Sequence, residues 1–429
     1  MIEMSLPFGG GRVSFRIDPE RLAQVMVPLD VEPVEDLDGL VARALSEPLG
    51  QAPLWDWVRP TDKVLILSDD NTRLTPAHRL LPPLLEALGR AGVSEKNVSI
   101  LMALGTHRPM TTREMVAKVG PKVYGRFKVF NHHWRDPRVL VDLGASKQGT
   151  PLTVNRAAVE ADVVIGLGAI VPHHIPGFSG SSKIVQPGIC GAVTTAETHL
   201  LSTRGQDSFL GMEDNPVRRD MDDMADRIGM RTILNVVLTV DGAVAGVFFG
   251  DMRRAFAKGV ELARRIYGVP FQETPDIVIA NSCPCDIDFW QSHKALYPAA
   301  RMVKPGGTIV IVTPAPEGVS PVHSGLLRFA SWSSERIERA YRDGEIGNGV
   351  ATALAIAWAK VREKASVIMV SPGIPPEDKR SLGFHHADSL EQALREAFRR
   401  QGPEARVAVL PHAPDTLPIR VSSAPMESK

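Results

Sequence analysis

The sequence predicts an α/β protein of two domains, each a mostly parallel sheet flanked by helices. Three observations predict this. Short β-branched runs are each followed by a helical pattern, the alternation occurs in two separate blocks, and a proline- and glycine-bearing stretch divides them. In the first block, residues 64–68 read as a buried strand that feeds the polar loop Asp70, Asn71, Thr72 and Arg73. A helix is expected over about 76–91, ending near Gly92. The next strand is expected at 98–103, with Gly105, Thr106 and His107 beyond it and a helix around 112–119. A third strand is expected at 163–168. A long amphipathic helix over about 252–265 leads into a linker at 266–275. In the second block, strands are expected at 276–280, 307–312, 366–370 and 406–410, with a helix over about 389–400 before the last. A polar tail follows Pro418. The expected domains are therefore 1–268 and 269–429, with a return of the last segment onto the first domain allowed. Parallel units of this hand gather their functional loops beyond the carboxyl ends of the strands.

Composition narrows the function classes. The 429 residues are 44% apolar and 23% charged, as in an ordinary globular protein. Forty-nine basic residues balance forty-nine acidic ones, so the excess of positive charge typical of a nucleic-acid sleeve or a polybasic membrane surface is missing. Three cysteines (Cys190, Cys283, Cys285) make no disulfide framework in a chain of this length, which fits a reducing compartment. Residues 1–15 show no basic segment ahead of an apolar core, and the longest apolar stretch, 163–171, is far short of the roughly 20 residues that span a bilayer. The expectation is a soluble cytoplasmic protein without nucleic-acid or membrane partners.

Several loops carry candidate chemistry. Gly177, Ser179, Gly180 and Lys183 follow a buried strand, where exposed amides can cradle an anion. The spacing is not that of a Walker A loop. Lys183 there is either a solvated turn residue, a phosphate ligand, or a nucleophile or covalent tether if desolvated. His107, His173 and His199 each lie after a predicted strand, and imidazole exchanges protons near pH 6.5 or binds a divalent metal as the neutral ring. The pairs His132–His133 and His385–His386 lack a local motif and are expected to be structural or at the surface. The loop at 70–73 either caps the helix after it or offers Arg73 to a carboxylate or phosphate. In the second block, Gln291 and Lys294 stand three apart and would share a helix face. Cys283 and Cys285 do not have the C-x-x-C spacing of a structural zinc site.

Taken together these residues resemble the nickel-dependent lactate racemase family, the 2-hydroxyacid racemases and epimerases that carry a pincer nucleotide. The resemblance runs through Asp70, Thr72 and Arg73, then Gly105 to Pro109, then Pro172, His173, Gly177 to Gly180, Lys183 and His199, and finally Gln291 and Lys294. It implies a pyridinium-3-thioamide-5-thiocarboxylate mononucleotide attached covalently to Lys183, with nickel in its pincer and His199 completing a square-planar site. It implies that His107 and His173 are the two acid/base residues. Asp70, Gly177, Ser179 and Gly180 would surround the cofactor. Arg73, Gln291 and Lys294 would meet the substrate, with Trp290 as a large aromatic at its end of the site. The active site would lie in the cleft between the two domains.

The implied reaction is reversible hydride transfer. One histidine takes the hydroxyl proton while hydride leaves the α-carbon for the pincer, giving a 2-keto acid; hydride then returns to the other face with the help of the second histidine. The implied partners are a small 2-hydroxy acid and the proteins that make the cofactor; lactate, malate, aromatic and sugar acids all remain in play. Two other readings use the same residues: a zinc-dependent hydrolase, which needs three protein ligands and an open position, and a non-catalytic protein binding a nucleotide-like ligand, which has no need of two bases.

Overall fold

The six residues of strand Val64–Asp69 are all buried, the pattern of a central parallel strand covered on both faces. In the computed structural model, which describes residues 1–205 and 208–421, this strand pairs in parallel with Val98–Ala103 on one side and Val163–Ala169 on the other. Lys128–Asn131 extends the sheet beyond Val98–Ala103, and Thr232–Leu238 extends it beyond Val163–Ala169. Val244–Asp251 closes that edge antiparallel. The chain thus builds outward on one side of Val64–Asp69 and returns to build on the other. The loops leaving Val64–Asp69 and Val163–Ala169 part in opposite directions, which opens a crevice at their carboxyl ends.

This sheet belongs to a unit spanning Asp30–Ile266. Its core joins the strand residues Ile66, Ile100 and Ile165 to Leu80, Leu81 and Leu84 on the helix Ala77–Arg90. Helix Thr112–Val119 begins with a reciprocal capping box between Thr111 and Glu114.

The other unit combines Met1–Leu29 with Tyr267–Lys429. Its sheet is parallel throughout and runs His385–Ala387, Ser366–Val370, Thr308–Val312, Ile277–Asn281, Val407–Leu410 and Leu22–Val25. Its chain order also reverses at one point, between Ile277–Asn281 and Val407–Leu410. A hairpin of Ile2–Phe8 and Gly11–Ile17, turned by Gly9 and Gly10, sends Leu6, Phe15 and Ile17 into the same core as Ile279, Val310 and Leu390.

Three expectations are corrected here. The first 29 residues do not join the expected domain 1–268, because Leu22–Val25 pairs with Val407–Leu410 and the hairpin packs on that sheet. The expected linker at 266–275 contains the end of helix Met252–Tyr267 and a strand, Gly268–Phe271. That strand pairs with Leu417–Arg420, so the polar tail after Pro418 starts inside a strand and the last segment belongs with the C-terminal part of the chain. The rest of that tail, 422–429, lies outside the described residues. The edge hairpin of Thr232–Leu238 and Val244–Asp251 is an addition to the expected strands: Thr232–Leu238 turns straight back into its antiparallel partner and has no helix after it.

Candidate active site

Asp70 begins the loop that leaves the central strand. Its carboxylate accepts from the Thr72 backbone N–H at 3.1 Å and from the Thr72 hydroxyl at 2.5 Å, an Asx turn that folds the loop back on itself. The preceding Asp69 is held at 2.8 Å by the buried Lys118 ammonium, which also donates to the Arg73 carbonyl at 2.9 Å. Thr75 donates its hydroxyl to Asp69 at 2.5 Å rather than capping the helix, whose N-cap position is Pro76. The loop is thus tied to the sheet by charge-assisted bonds, and the capping alternative for Asp70 to Arg73 falls away.

His107 stands at the end of the neighbouring strand, half-buried, with Nδ1 2.6 Å from Asp70 Oδ2. Burial by itself would raise the Asp70 carboxyl. The charge and hydrogen bond of His107, with Arg73 and Thr72, overcome this and hold it well below the ordinary carboxylate value. With a carboxylate as partner, Nδ1 is the donor, and in the neutral ring Nε2 is the acceptor nitrogen. The backbone N–H of Gly105 donates to the Gly188 carbonyl at 2.8 Å, tying this loop to the turn that follows Lys183.

His173 lies in a two-residue strand, Pro172–His173, paired with Gly177–Phe178. The Ile175 backbone N–H donates to its Nδ1 at 3.2 Å, which places the proton of the neutral ring on Nε2. In their neutral forms the two histidines therefore hold opposite tautomers, Nε2 being an acceptor on His107 and a donor on His173. The His174 ring stacks on that of His173 with centroids 4.8 Å apart. Gly177 is required by the turn between them and Lys183, for a Cβ there would come within 1.8 Å of the Met212 carbonyl oxygen and φ is +82°. Ser179 accepts from the Val171 N–H and donates to the Ala169 carbonyl at 2.7 Å, pinning the loop to the strand it left. Lys183 follows on the short 3₁₀ turn Ser181–Ile184.

His199 projects from helix Ala192–Thr203, where its Nδ1 donates to the Thr195 carbonyl one turn earlier at 2.6 Å. Its Nε2 is then the lone-pair nitrogen of the neutral ring. Burial pushes the imidazole down to about 4; the Thr195 bond works against this, and the charges of Lys183 and His107 add to it. Lys183 and His107 thus both stand within electrostatic reach of His199.

In the unit containing Tyr267–Lys429, Gln291 and Lys294 follow strand Ile277–Asn281. Asp288 caps the short helix Phe289–Ser292 by accepting from the Gln291 N–H at 2.8 Å, and the Lys294 ammonium donates to the Gln291 side-chain oxygen. Trp290 is buried and stacks on His323 with centroids 4.1 Å apart and planes 16° from parallel. Asn348 donates to His323 Nδ1 at 3.1 Å. Burial, then Asp286 and Asp415, push the Cys283 thiol up to about 12. Of the histidine pairs, buried His132 bridges the Cys190 carbonyl and the Asn155 amide, and His386 lies between Lys379 and Asp388.

Residues 8–211 match the lactate racemase N-terminal domain and residues 271–415 the lactate racemase C-terminal domain. The chain belongs to the lactate racemase family. It is 29% identical over 424 residues to the lactate racemase of Lactiplantibacillus plantarum, covering 96% of this chain and 98% of that one. It is 27% identical over 421 residues to the lactate racemase of Thermoanaerobacterium thermosaccharolyticum, with coverage of 96% and 98%. The solved structure of the lactate racemase apoprotein from the latter organism shares the fold with a TM-score of 0.88, covering 97% of this chain and all (100%) of that one. A Thermotoga maritima protein of known structure, 22% identical, shares the fold at a TM-score of 0.72. As a member of the lactate racemase family the chain is an enzyme of the isomerase class.

Among the residues that hold these loops in place, Lys118, Thr195, Arg218 and Asn235 carry no motif in the sequence. Asn235 left the clearest trace, as a polar residue within the otherwise apolar, fully buried strand Thr232–Leu238.

Proposed function

We propose that the enzyme racemises or epimerises a small 2-hydroxy acid of the lactate type, using a nickel-pincer nucleotide tethered to Lys183. The observation that carries this reading is His199, a buried imidazole whose Nδ1–H is fixed by a carbonyl, whose Nε2 keeps the lone pair, and which stands within electrostatic reach of Lys183. That is the state a metal-binding histidine must have, with the carbonyl orienting it from the far side. One imidazole suffices for a metal held mainly by a tethered group. A protein-only zinc site of the hydrolase type needs three ligands, and among the described residues no group of three or more His, Cys, Asp or Glu side chains could hold a metal ion.

When bound, the cofactor supplies a reversible acceptor for the hydride on the substrate α-carbon. The chain supplies the proton chemistry and the orientation. His107 takes the hydroxyl proton at Nε2, and the Asp70 carboxylate stabilises the imidazolium that results. His173 serves the other face: as the imidazolium it gives its Nε2 proton to the keto-acid oxygen and is left as the base for the reverse direction, and since both of these forms carry a proton on Nδ1, either use requires the Ile175 N–H to move off that nitrogen. Asp70, Gly177, Ser179 and Gly180 are assigned to the cofactor's surroundings. Arg73 is assigned to the substrate carboxylate, which it can grip in bidentate fashion. Gln291, Lys294 and Trp290 are assigned further substrate contacts. Among the described residues no helix is long and apolar enough to cross a membrane. A cytoplasmic setting, where cofactor-synthesis proteins would load the enzyme, is part of the proposal.

The test is expression with and without those synthesis proteins, followed by intact-protein mass spectrometry, nickel analysis and assays on lactate, malate and bulkier 2-hydroxy acids. Loaded protein should carry an adduct on Lys183 and racemise at least one of these acids; unloaded protein should be inactive. Full-rate racemisation by unmodified, nickel-free protein would overturn the reading.

A further inference from the structure

The segment bearing Lys183 holds an unfavourable backbone. Ser181 has φ +50°, a left-handed conformation unfavourable for a residue with a Cβ. Something must hold it there. The Ser181 N–H donates to Asn235 Oδ1 at 2.8 Å and its hydroxyl to the Met252 carbonyl at 3.0 Å. The remaining ties converge on one side chain. Arg218, on helix Pro216–Arg227, is 4% exposed and sends its guanidinium to the carbonyls of Phe178 and Gly180 and to the Ser182 hydroxyl. Ser182 passes the connection on by donating to Asp222, one turn along the helix from Arg218. The Phe256 ring lies 4.5 Å from the guanidinium carbon.

We propose that Arg218 is a positioning residue that sets the backbone from Phe178 to Ser182 and thereby aims Lys183 toward His199 and His107. The inference deepens the proposed function and rests on its assignment of Lys183 as the tether. A buried cation paired chiefly with neutral acceptors is a poor source of stability, because desolvation offsets most of what the bonds return. Burial indeed pushes this guanidinium down to about 10. What the arrangement does provide is geometry. A planar fork reaching three acceptors along one stretch of chain fixes its path, which a lysine, with a single point of charge, cannot reproduce. The effect on chemistry follows from reach: a displacement of about 1 Å at a reacting group can cost about a hundredfold in rate.

The test uses the full chain with Arg218→Lys, and Ser182→Ala as a milder variant that removes one acceptor and the link to Asp222. Two readouts are taken: amide hydrogen exchange in the unloaded protein, and the fraction of Lys183 carrying the adduct after co-expression with the cofactor-synthesis proteins. The expected result is exchange accelerated at least about tenfold over 179–184 and unchanged in strand Val64–Asp69, with a several-fold lower adduct fraction in R218K and a smaller loss in S182A. Equal acceleration in both segments would mean a merely structural role and would overturn the proposal, as would wild-type exchange over 179–184. Should R218K fail to fold, S182A decides by the same criteria. If the wild type takes no adduct at Lys183, the tether assignment fails, while the exchange comparison still decides whether Arg218 holds the loop.

Discussion

The two sheets are built on the same rule and equipped differently. Each is parallel about its centre and reverses its chain order once, and each sends loops from the carboxyl ends at the reversal. In the Asp30–Ile266 unit ionisable groups at those ends are locked to one another, Asp70 with His107 and Asp69 with Lys118, while Arg218 braces the Lys183 segment from a helix. In the other unit the loop after Ile277–Asn281 leads to a lysine on a glutamine and to an indole stacked on an imidazole from the next loop. Fixed charge pairs suit proton transfer, while an amide, an ammonium and an aromatic face suit recognition. On the proposed function, substitutions in the first set should act on kcat and those in the second on KM.

The sharpest break would come from the two histidines. His107→Ala and His173→Ala should each lower steady-state racemisation about 10²–10⁴-fold in both directions, the usual cost of losing a positioned acid or base. Each mutant should keep a half-reaction with one enantiomer, and the two should differ in which. Keto-acid formation from pure D and pure L substrate in single-turnover mixing checks this, and near wild-type racemisation by either mutant would make its histidine structural. A smaller loss, about 10²-fold in kcat, is expected for Asp70→Asn, because an amide can face His107 with its NH₂ and leave the wrong nitrogen protonated. An unchanged pH–rate profile in that variant would separate Asp70 from the proton chemistry.

On the recognition side, Gln291→Ala should raise KM for the 2-hydroxy acid about tenfold with kcat changed much less, since it removes a neutral hydrogen bond and frees Lys294. A pure kcat effect would erase the contrast between the two units. The last expectation concerns stability and leaves turnover aside. Burial holds His132 down to about 4, against an ordinary value of 6.5. The unfolded chain therefore takes up this proton first. The penalty is absent above pH 6.5, grows as the pH falls, and reaches its full size near pH 4, at about 3 kcal/mol. His132→Gln should flatten that part of the acid unfolding curve, as followed by denaturant titration at several pH values.

Much of this was legible in the sequence for a physical reason. A buried parallel strand is a short β-branched run, and its carboxyl end is where a loop of polar residues begins, so Val64–Asp69, Val98–Ala103, Val163–Ala169 and Ser366–Val370 announce themselves along with Asp70, His107 and His173. What a linear reading lacks is adjacency. That Asp70 meets His107 follows from their strands being neighbours, and that Trp290 meets His323 follows from two loops of one sheet converging. Arg218 looks like an ordinary charged residue in a polar helix until the fold turns it beneath the Lys183 segment. The amino-terminal hairpin was missed because its apolar alternation is one-sided, and the sheet it covers is completed by residues at the far end of the chain.

That last feature governs the order in which the chain can be made. Asp30–Ile266 is contiguous, so it can close its sheet as soon as it leaves the ribosome. Strand Leu22–Val25 is made before Asp30–Ile266, whereas its pairing partner Val407–Leu410 is made well after it. Until then the hairpin residues Leu6, Phe15 and Ile17 lack the core they are shaped to enter. Pairings this distant in sequence are slow to form, and the waiting segment exposes apolar surface and an open strand edge. The unit to which substrate recognition is assigned is thus the later of the two to mature, and its assembly depends on residues Met1–Leu29 staying available until Val407–Leu410 has been made.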